Sequence, residues 1–188
     1  MVEERINNSE KTKHQTLPRW VVGLVFTALI GFLVLIGMGL RRTQEGPIVI
    51  GQKVPYFELK TFEGEVYNTQ QMQGKVIVVN FWASWCKPCE QEAFELEEAW
   101  QFYKPRGDVI FLGVDYVDTE PEAKAFIQQF GLTYPNGPDL RTRISQMFRI
   151  QGVPETYIID REGRLAFVKK GPFLSVNEIR GAVDPLLP

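Results

Sequence analysis

The stretch Val76-Ile77-Val78-Val79-Asn80-Phe81-Trp82-Ala83-Ser84-Trp85-Cys86-Lys87-Pro88-Cys89 decides how the rest of this 188-residue chain is read. Its first half is a Val/Ile run of the kind that forms a strand buried on both faces of a mixed or parallel sheet. Its second half holds the only two cysteines in the chain, separated by two residues, and a helical pattern follows. Strand, short turn and helix start together place Cys86 at the positive end of a helix macrodipole, where a thiolate is stabilised. Lys87 adds to this, and a cysteine so placed titrates one or more units below the free value of about 8.5. At a pKa of ~7 roughly half of the thiol is ionised at neutral pH.

Residues three apart on a helix face each other with Cα atoms about 5–6 Å apart, inside the range a disulfide spans without moving the backbone. The pair can therefore close and reopen. Pro88 falls in the first turn, where its missing N–H removes no helical bond. Cys86 reads as the exposed nucleophile and Cys89 as the partner that resolves a mixed disulfide. A zinc site is the first rival, but four-coordinate zinc needs two more ligands, and the chain offers no third cysteine and a single histidine, His14, in a polar leader. A permanent structural disulfide is the second, and so small a loop takes little entropy from the unfolded chain.

The helix after the cysteines should run from about Cys86 to Tyr103 and stop at Pro105-Arg106-Gly107. With Cys89 set at zero and 100° per residue, Ala93, Leu96, Trp100 and Tyr103 fall between about −40° and +40°, one apolar stripe. Glu92 falls at about 300°, on the edge of that stripe, while Glu90, Glu95, Glu97 and Glu98 point away. A carboxyl on the core side has its pKa raised by desolvation, and near neutrality it can exchange the proton of Cys89. A glutamate snorkelling from the stripe edge to solvent fits the same angle.

Further along, Val109 to Val114 reads as a second buried strand, and Thr119-Glu120-Pro121-Glu122 as a capping box opening a helix that Gly131 closes. Tyr134 to Asp139 is turn-rich, and a short helix to about Phe148 follows. Glu155–Ile159 and Leu165–Lys169 form a hairpin over Asp160-Arg161-Glu162-Gly163, and Ser175-Val176-Asn177-Glu178 opens a terminal helix. Upstream, Val54–Leu59 and Val66-Tyr67 suggest an added β-hairpin joined through Thr61-Phe62-Glu63-Gly64. Strands alternating with helices, then a hairpin and a helix, give an α/β domain with a central mixed sheet over residues 48–188.

Residues 1–19 are polar and form a disordered tail, in which His14 is a solvated residue. Residues 20–40 lack any charge over about 31 Å of helix, enough to span a bilayer, and 41–47 are a linker. A cleaved signal peptide has a shorter apolar region ending in a small-x-small site, which Gly37-Met38-Gly39 imitates poorly. Arg5, Lys11, Lys13 and Arg19 before the span, against Arg41 and Arg42 after it, put the N-terminus in the cytoplasm and the domain outside, in the cell membrane. Residues 43–188 carry 15 basic and 20 acidic residues, so no nucleic-acid footprint is present.

Phe81 to Cys89, followed by Gly152-Val153-Pro154 before a strand, resembles the thioredoxin superfamily over residues 48–188. The resemblance implies a cis bond at Pro154, packed against the cysteines, with the backbone of Val153 pairing with substrate peptide. Asn80 stands where ordinary thioredoxins carry a buried aspartate. The membrane-tethered reductases of cytochrome c maturation, of the CcmG, DsbE and ResA type, lack that acid. They have a glutamate three residues after the second cysteine, as Glu92 is here, and an Ala-Pro-Glu-Thr that Pro154-Glu155-Thr156 resembles.

The implied site is Cys86, Cys89 and Glu92 for catalysis, with Trp85, Val153, Pro154 and Glu155 for substrate, the acidic Glu155 facing basic residues of the partner. No cofactor beyond the Cys86–Cys89 pair and no metal is expected. The implied substrate is the Cys-x-x-Cys-His haem-binding motif of apocytochrome c, and the implied reductant a membrane thiol transporter of the CcdA or DsbD type. A general extracytoplasmic dithiol reductase or oxidase without a haem link is the alternative. A thiolate copper or haem chaperone lacks a Met or His ligand pattern, and peroxiredoxins present a lone peroxidatic cysteine outside such a pair.

Overall fold

The computed structural model describes residues 18–43 and 48–188. Residues 1–17 of the expected tail and 44–47 of the expected linker lie outside the described residues, while residues 41–43, expected in the linker, are helical. The chain divides into two compact units, Met1–Glu45 and Gly46–Pro188, each taken by itself below. In the first, helix α1 covers Arg19–Thr43, about 38 Å at 1.5 Å per residue, with an uninterrupted candidate span over Arg19–Met38. It is long and apolar enough to cross a membrane, and its Leu24, Phe26 and Leu33 side chains face outward.

The second unit is built on β3 (Val76–Trp82), every residue of which is buried. It pairs in parallel with β4 (Val109–Asp115) on one side and antiparallel with β6 (Glu155–Ile159) on the other. With β5 (Asn136–Pro138) outside β4 and β7 (Leu165–Lys170) outside β6, the mixed sheet runs β5-β4-β3-β6-β7. Alternate β3 residues serve two cores, which is why the run is continuously apolar. Val76, Val78 and Trp82 pack with helices α2 (Lys87–Tyr103), α3 (Glu120–Phe130) and α5 (Val176–Val183) through Leu96, Phe126 and Ile179. Ile77, Val79 and Phe81 pack with Leu112, with Ile144 and Phe148 of α4 (Arg143–Phe148), and with Phe57 and Leu59.

The added hairpin is present as a separate two-stranded sheet, β1 (Glu58–Lys60) with β2 (Val66–Asn68). Its first strand starts later than the apolar pattern suggests, and Pro55, which has no N–H to donate, lies in the part left out. The segment taken as turn-rich contains β5, an edge strand of three residues where a proline is tolerated. Gly137 is required there because a Cβ would sit 2.3 Å from the Lys60 carbonyl oxygen of the hairpin.

Both capping boxes form only in part. Thr119 stands at the N-cap of α3, but its hydroxyl donates to the Glu122 carboxylate, 2.7 Å, rather than accepting from the backbone. Ser175 accepts from the Glu178 N–H at 3.3 Å, while the Glu178 carboxylate turns to Lys169, 3.1 Å. Both helices keep their expected positions, and Gly131 closes α3 in the left-handed conformation at φ 63°.

Candidate active site

The turn Ala83-Ser84-Trp85 carries the chain from the end of β3 to Cys86, which is the N-cap of α2. The Cys86 sulfur accepts the Cys89 N–H at 3.2 Å, so a side-chain sulfur occupies the place that a Ser or Asp oxygen usually takes at a helix start. Cys86 and Cys89 are disulfide-bonded, with Cα atoms 5.3 Å apart, so the structure is that of the oxidised pair, and Cys86, expected to be exposed, is 3% exposed because it packs within the helix-side core. Pro88 lies in the first turn as expected. Lys87, expected to favour the thiolate, is ion-paired to Glu90 at 2.7 Å on the surface, which divides its charge between the two.

Glu92 is buried, 1% exposed, one turn beyond Cys89 on the same helix. The snorkelling alternative is thereby excluded. One carboxylate oxygen accepts from the Asn80 amide at 2.6 Å and the other from the Phe173 N–H at 3.0 Å. The Asn80 amide also donates to the Thr156 hydroxyl at 3.0 Å. Burial pushes the Glu92 carboxyl up to about 7, against the opposing pull of the Phe173 and Asn80 donors. A group poised there is half protonated at neutral pH and can take a proton as readily as give one.

The Val153–Pro154 peptide bond is cis, as the resemblance implies. Because Phe81 is in register with Glu155, Pro154 comes level with Trp82, at the sheet end from which the Cys86 turn leaves. Val153 packs against both cores and Pro154 is buried. Trp85 is exposed beside Cys86, its indole N–H donating to the Val117 carbonyl at 3.1 Å.

Glu155 departs from expectation. It is 4% exposed, and its carboxylate accepts from the Gln151 N–H at 2.9 Å and the Tyr157 hydroxyl at 2.7 Å. Being a β6 residue between β3 and β7, it turns inward and ties down the loop before Pro154 instead of offering a surface charge to a partner.

The sequence reading missed Asn80 as a partner of Glu92, and Thr156 as the hydroxyl that takes the other Asn80 hydrogen bond. The available signal was Asn80 itself, an amide inside an apolar strand that needs a buried partner. Phe173 has no such signal, because its backbone N–H reaches Glu92 through tertiary packing alone. Among the described residues no group of three or more His, Cys, Asp and Glu is gathered that could hold a metal ion.

Comparison with known proteins agrees with this geometry. Residues 50–168 match the model of the AhpC/TSA family. The thioredoxin-like protein YneN of Bacillus subtilis is 32% identical over 159 residues, covering 82% of this chain and 91% of that protein. The thiol-disulfide oxidoreductase ResA of Bacillus cereus is 29% identical over 153 residues, 81% of this chain and 86% of the relative. A thiol:disulfide interchange protein of the thioredoxin family from Chlorobium tepidum superposes with a TM-score of 0.66 at 25% identity, over 77% of this chain and 99% of its own. With a Cys-x-x-Cys disulfide at a helix N-terminus, a buried glutamate one turn on and a cis-proline at the same sheet end, the chain belongs to the AhpC/TSA family and is a thioredoxin-like thiol-disulfide oxidoreductase of the ResA type.

Proposed function

We propose that this enzyme works as a reductase, held outside the cytoplasmic membrane by α1, and that its substrate is the oxidised Cys-x-x-Cys-His motif of apocytochrome c. The observation that carries the reductase reading is Glu92, fully buried beside the resolving cysteine and titrating near neutrality. In the reduced enzyme the Cys86 thiolate attacks one sulfur of the substrate disulfide, forming a mixed disulfide and releasing the other substrate sulfur as a thiolate. Glu92 takes the proton of Cys89. The Cys89 thiolate then attacks the Cys86 sulfur, closing the Cys86–Cys89 bond and releasing the second substrate sulfur as a thiolate, to which the proton held by Glu92 can return. Two electrons pass from the enzyme dithiol to the substrate, and the oxidised form described above is the product.

Recharging requires a dithiol donor, and on the oxidising side of a membrane a thiol transporter of the CcdA or DsbD type supplies one. The excess of basic residues before the span supports this orientation. The haem link draws support from the likeness to ResA and from Pro154-Glu155-Thr156. A general reductase without that link would use the same two sulfurs and Glu92 on other disulfides.

The deciding experiment is capture. Replacing Cys89 with alanine leaves Cys86 unable to be released, so a Cys89→Ala enzyme in membranes making c-type cytochromes should accumulate a disulfide with an apocytochrome. Capture of unrelated thiol proteins with equal yield in membranes lacking those cytochromes would select the general reductase. Absence of any captured protein would remove the roles given to both cysteines.

A further inference from the structure

The exchange mechanism uses the sulfurs and Glu92, but it leaves unexplained what holds the turn that presents Cys86. That turn is strapped to the loop after β4 by three hydrogen bonds. The Tyr116 N–H donates to the Trp82 carbonyl at 2.8 Å, the Trp85 indole N–H to the Val117 carbonyl at 3.1 Å, and the Ser84 N–H to the Asp118 carboxylate at 2.6 Å. The Cys86 N–H in turn donates to the Ala83 carbonyl at 3.2 Å, so Cys86 hangs from the strapped segment. None of these bonds involves a sulfur, so opening the disulfide breaks none of them directly.

The strap has a support of its own. The second Asp118 oxygen accepts the Thr119 N–H at 2.8 Å, at the start of α3. Behind it lies Asp115, the last residue of β4, in register with Trp82 and only 3% exposed. The Trp82 indole is turned away from it to Asn136, 2.9 Å, and the Asp115 Oδ1 has no hydrogen-bond partner. Asp118 lines the same small cavity, and its charge is the first neighbouring charge that acts on the buried Asp115 carboxyl.

We propose that Asp115 and Asp118 are positioning residues of the exchange reaction, their carboxyl pair holding the Ala83–Trp85 turn and through it the attacking Cys86 sulfur. This rests on exchange at Cys86 but not on which disulfide is the substrate. The charged groups around Asp115 are Asp118, Asp139 and, across a cavity of about 310 Å³ lined by all three, the exposed Arg141. Asp139 is committed elsewhere, its two oxygens accepting from the Ile144 and Ser145 N–H groups at 2.8 Å each. Burial, and then Asp118 and Asp139, push the Asp115 carboxyl up to about 8. Below that pH the Asp115 carboxyl is protonated and Asp118 has a neutral neighbour. Above it two negative charges meet and Asp118 is pushed off Ser84.

The test uses the full chain, reduced and in lipid nanodiscs, attacking dithiobis(nitrobenzoate), with rates divided by the thiolate fraction obtained from alkylation of Cys86. Asp118→Ala should slow attack about tenfold, as a displaced nucleophile does, and Asp118→Asn, which keeps an acceptor for Ser84, should recover most of it. The wild-type rate should decline above pH about 8, and Asp115→Asn should abolish that decline while the Ser84 and Trp85 amide resonances lose their alkaline shift.

The proposal is overturned if folded Asp118→Ala attacks at the wild-type rate, if Asp118→Asn is as slow as Asp118→Ala, or if Asp115→Asn keeps the wild-type pH profile. Should Asp118→Ala not fold, the Asp115→Asn profile and the amide shifts decide alone. Continued reduction by Cys86→Ser would instead overturn the exchange reading, which none of the aspartate variants addresses.

Discussion

Glu92 and Asp115 are both nearly inaccessible carboxyls near the Cys86 turn, yet they are built in opposite ways. Glu92 has a neutral donor on each oxygen, Asn80 on one side and Phe173 on the other, and these offset part of the desolvation. Asp115 has an oxygen with no donor at all, and its carboxyl neighbours add to desolvation instead of opposing it. The first arrangement leaves an acid balanced at about 7, the second one held protonated to about 8. Burial alone therefore does not make a proton-transfer group. The donors around it set where it titrates.

The largest expected effect separates these two regions from the rest of the chain. Both carboxyls titrate higher in the folded state than their ordinary values of 4.5 and 3.8, so the native state binds more protons than the unfolded chain between those values and 7 to 8. The stability they contribute is fully present below about pH 4 and is lost as pH rises through 7 and 8. For Glu92 the loss is on the order of 3 kcal/mol. Urea midpoints measured from pH 4.5 to 9 should show it as a slope that Glu92→Gln and Asp115→Asn each flatten, and a slope unchanged in both variants would remove the contrast.

Next in size is a kinetic difference that only Glu92 should show. Glu92→Gln cannot take the proton of Cys89, so the resolving step should slow about 10²-fold at pH 7 while the attack by Cys86 keeps its rate. Rapid-quench gels would show the mixed disulfide accumulating. Equal slowing of both steps would mean that Glu92 supports the fold of the site rather than the proton.

The smallest effect belongs to the surface. Lys87 and Glu90 form an ion pair with the lysine side chain 83% exposed, and such pairs contribute little. Lys87→Ala should change stability by less than about 0.5 kcal/mol and the alkylation rate of Cys86 by less than about threefold. A larger rate change would transfer to Lys87 the thiolate stabilisation that the helix N-terminus is expected to supply.

Much of this was legible in the chain because it follows from spacing. The β3 run, the two cysteines three residues apart and the 100° step that carries Glu92 to the core side are local properties, and the helix and sheet realise them. Elements without a strong local pattern were harder to read. Asn136-Gly137-Pro138 has the composition of a turn and becomes an edge strand because the hairpin and β4 flank it. Glu155 has the composition of a surface charge, but pairing on both sides of β6 turns it inward.

Sequence alone thus determined where Cys86, Cys89 and Glu92 stand relative to one another, since the first caps a helix and the other two lie in its opening turns, whose geometry is fixed by backbone hydrogen bonds. Tertiary structure decided what surrounds that helix: the Asn80 and Phe173 donors, the inward Glu155 and the cavity that Asp115 and Asp118 line together. Each joins groups distant in the chain or set by a loop's conformation, and the protonation state of a buried acid depends on the sum of such neighbours, which no single segment encodes.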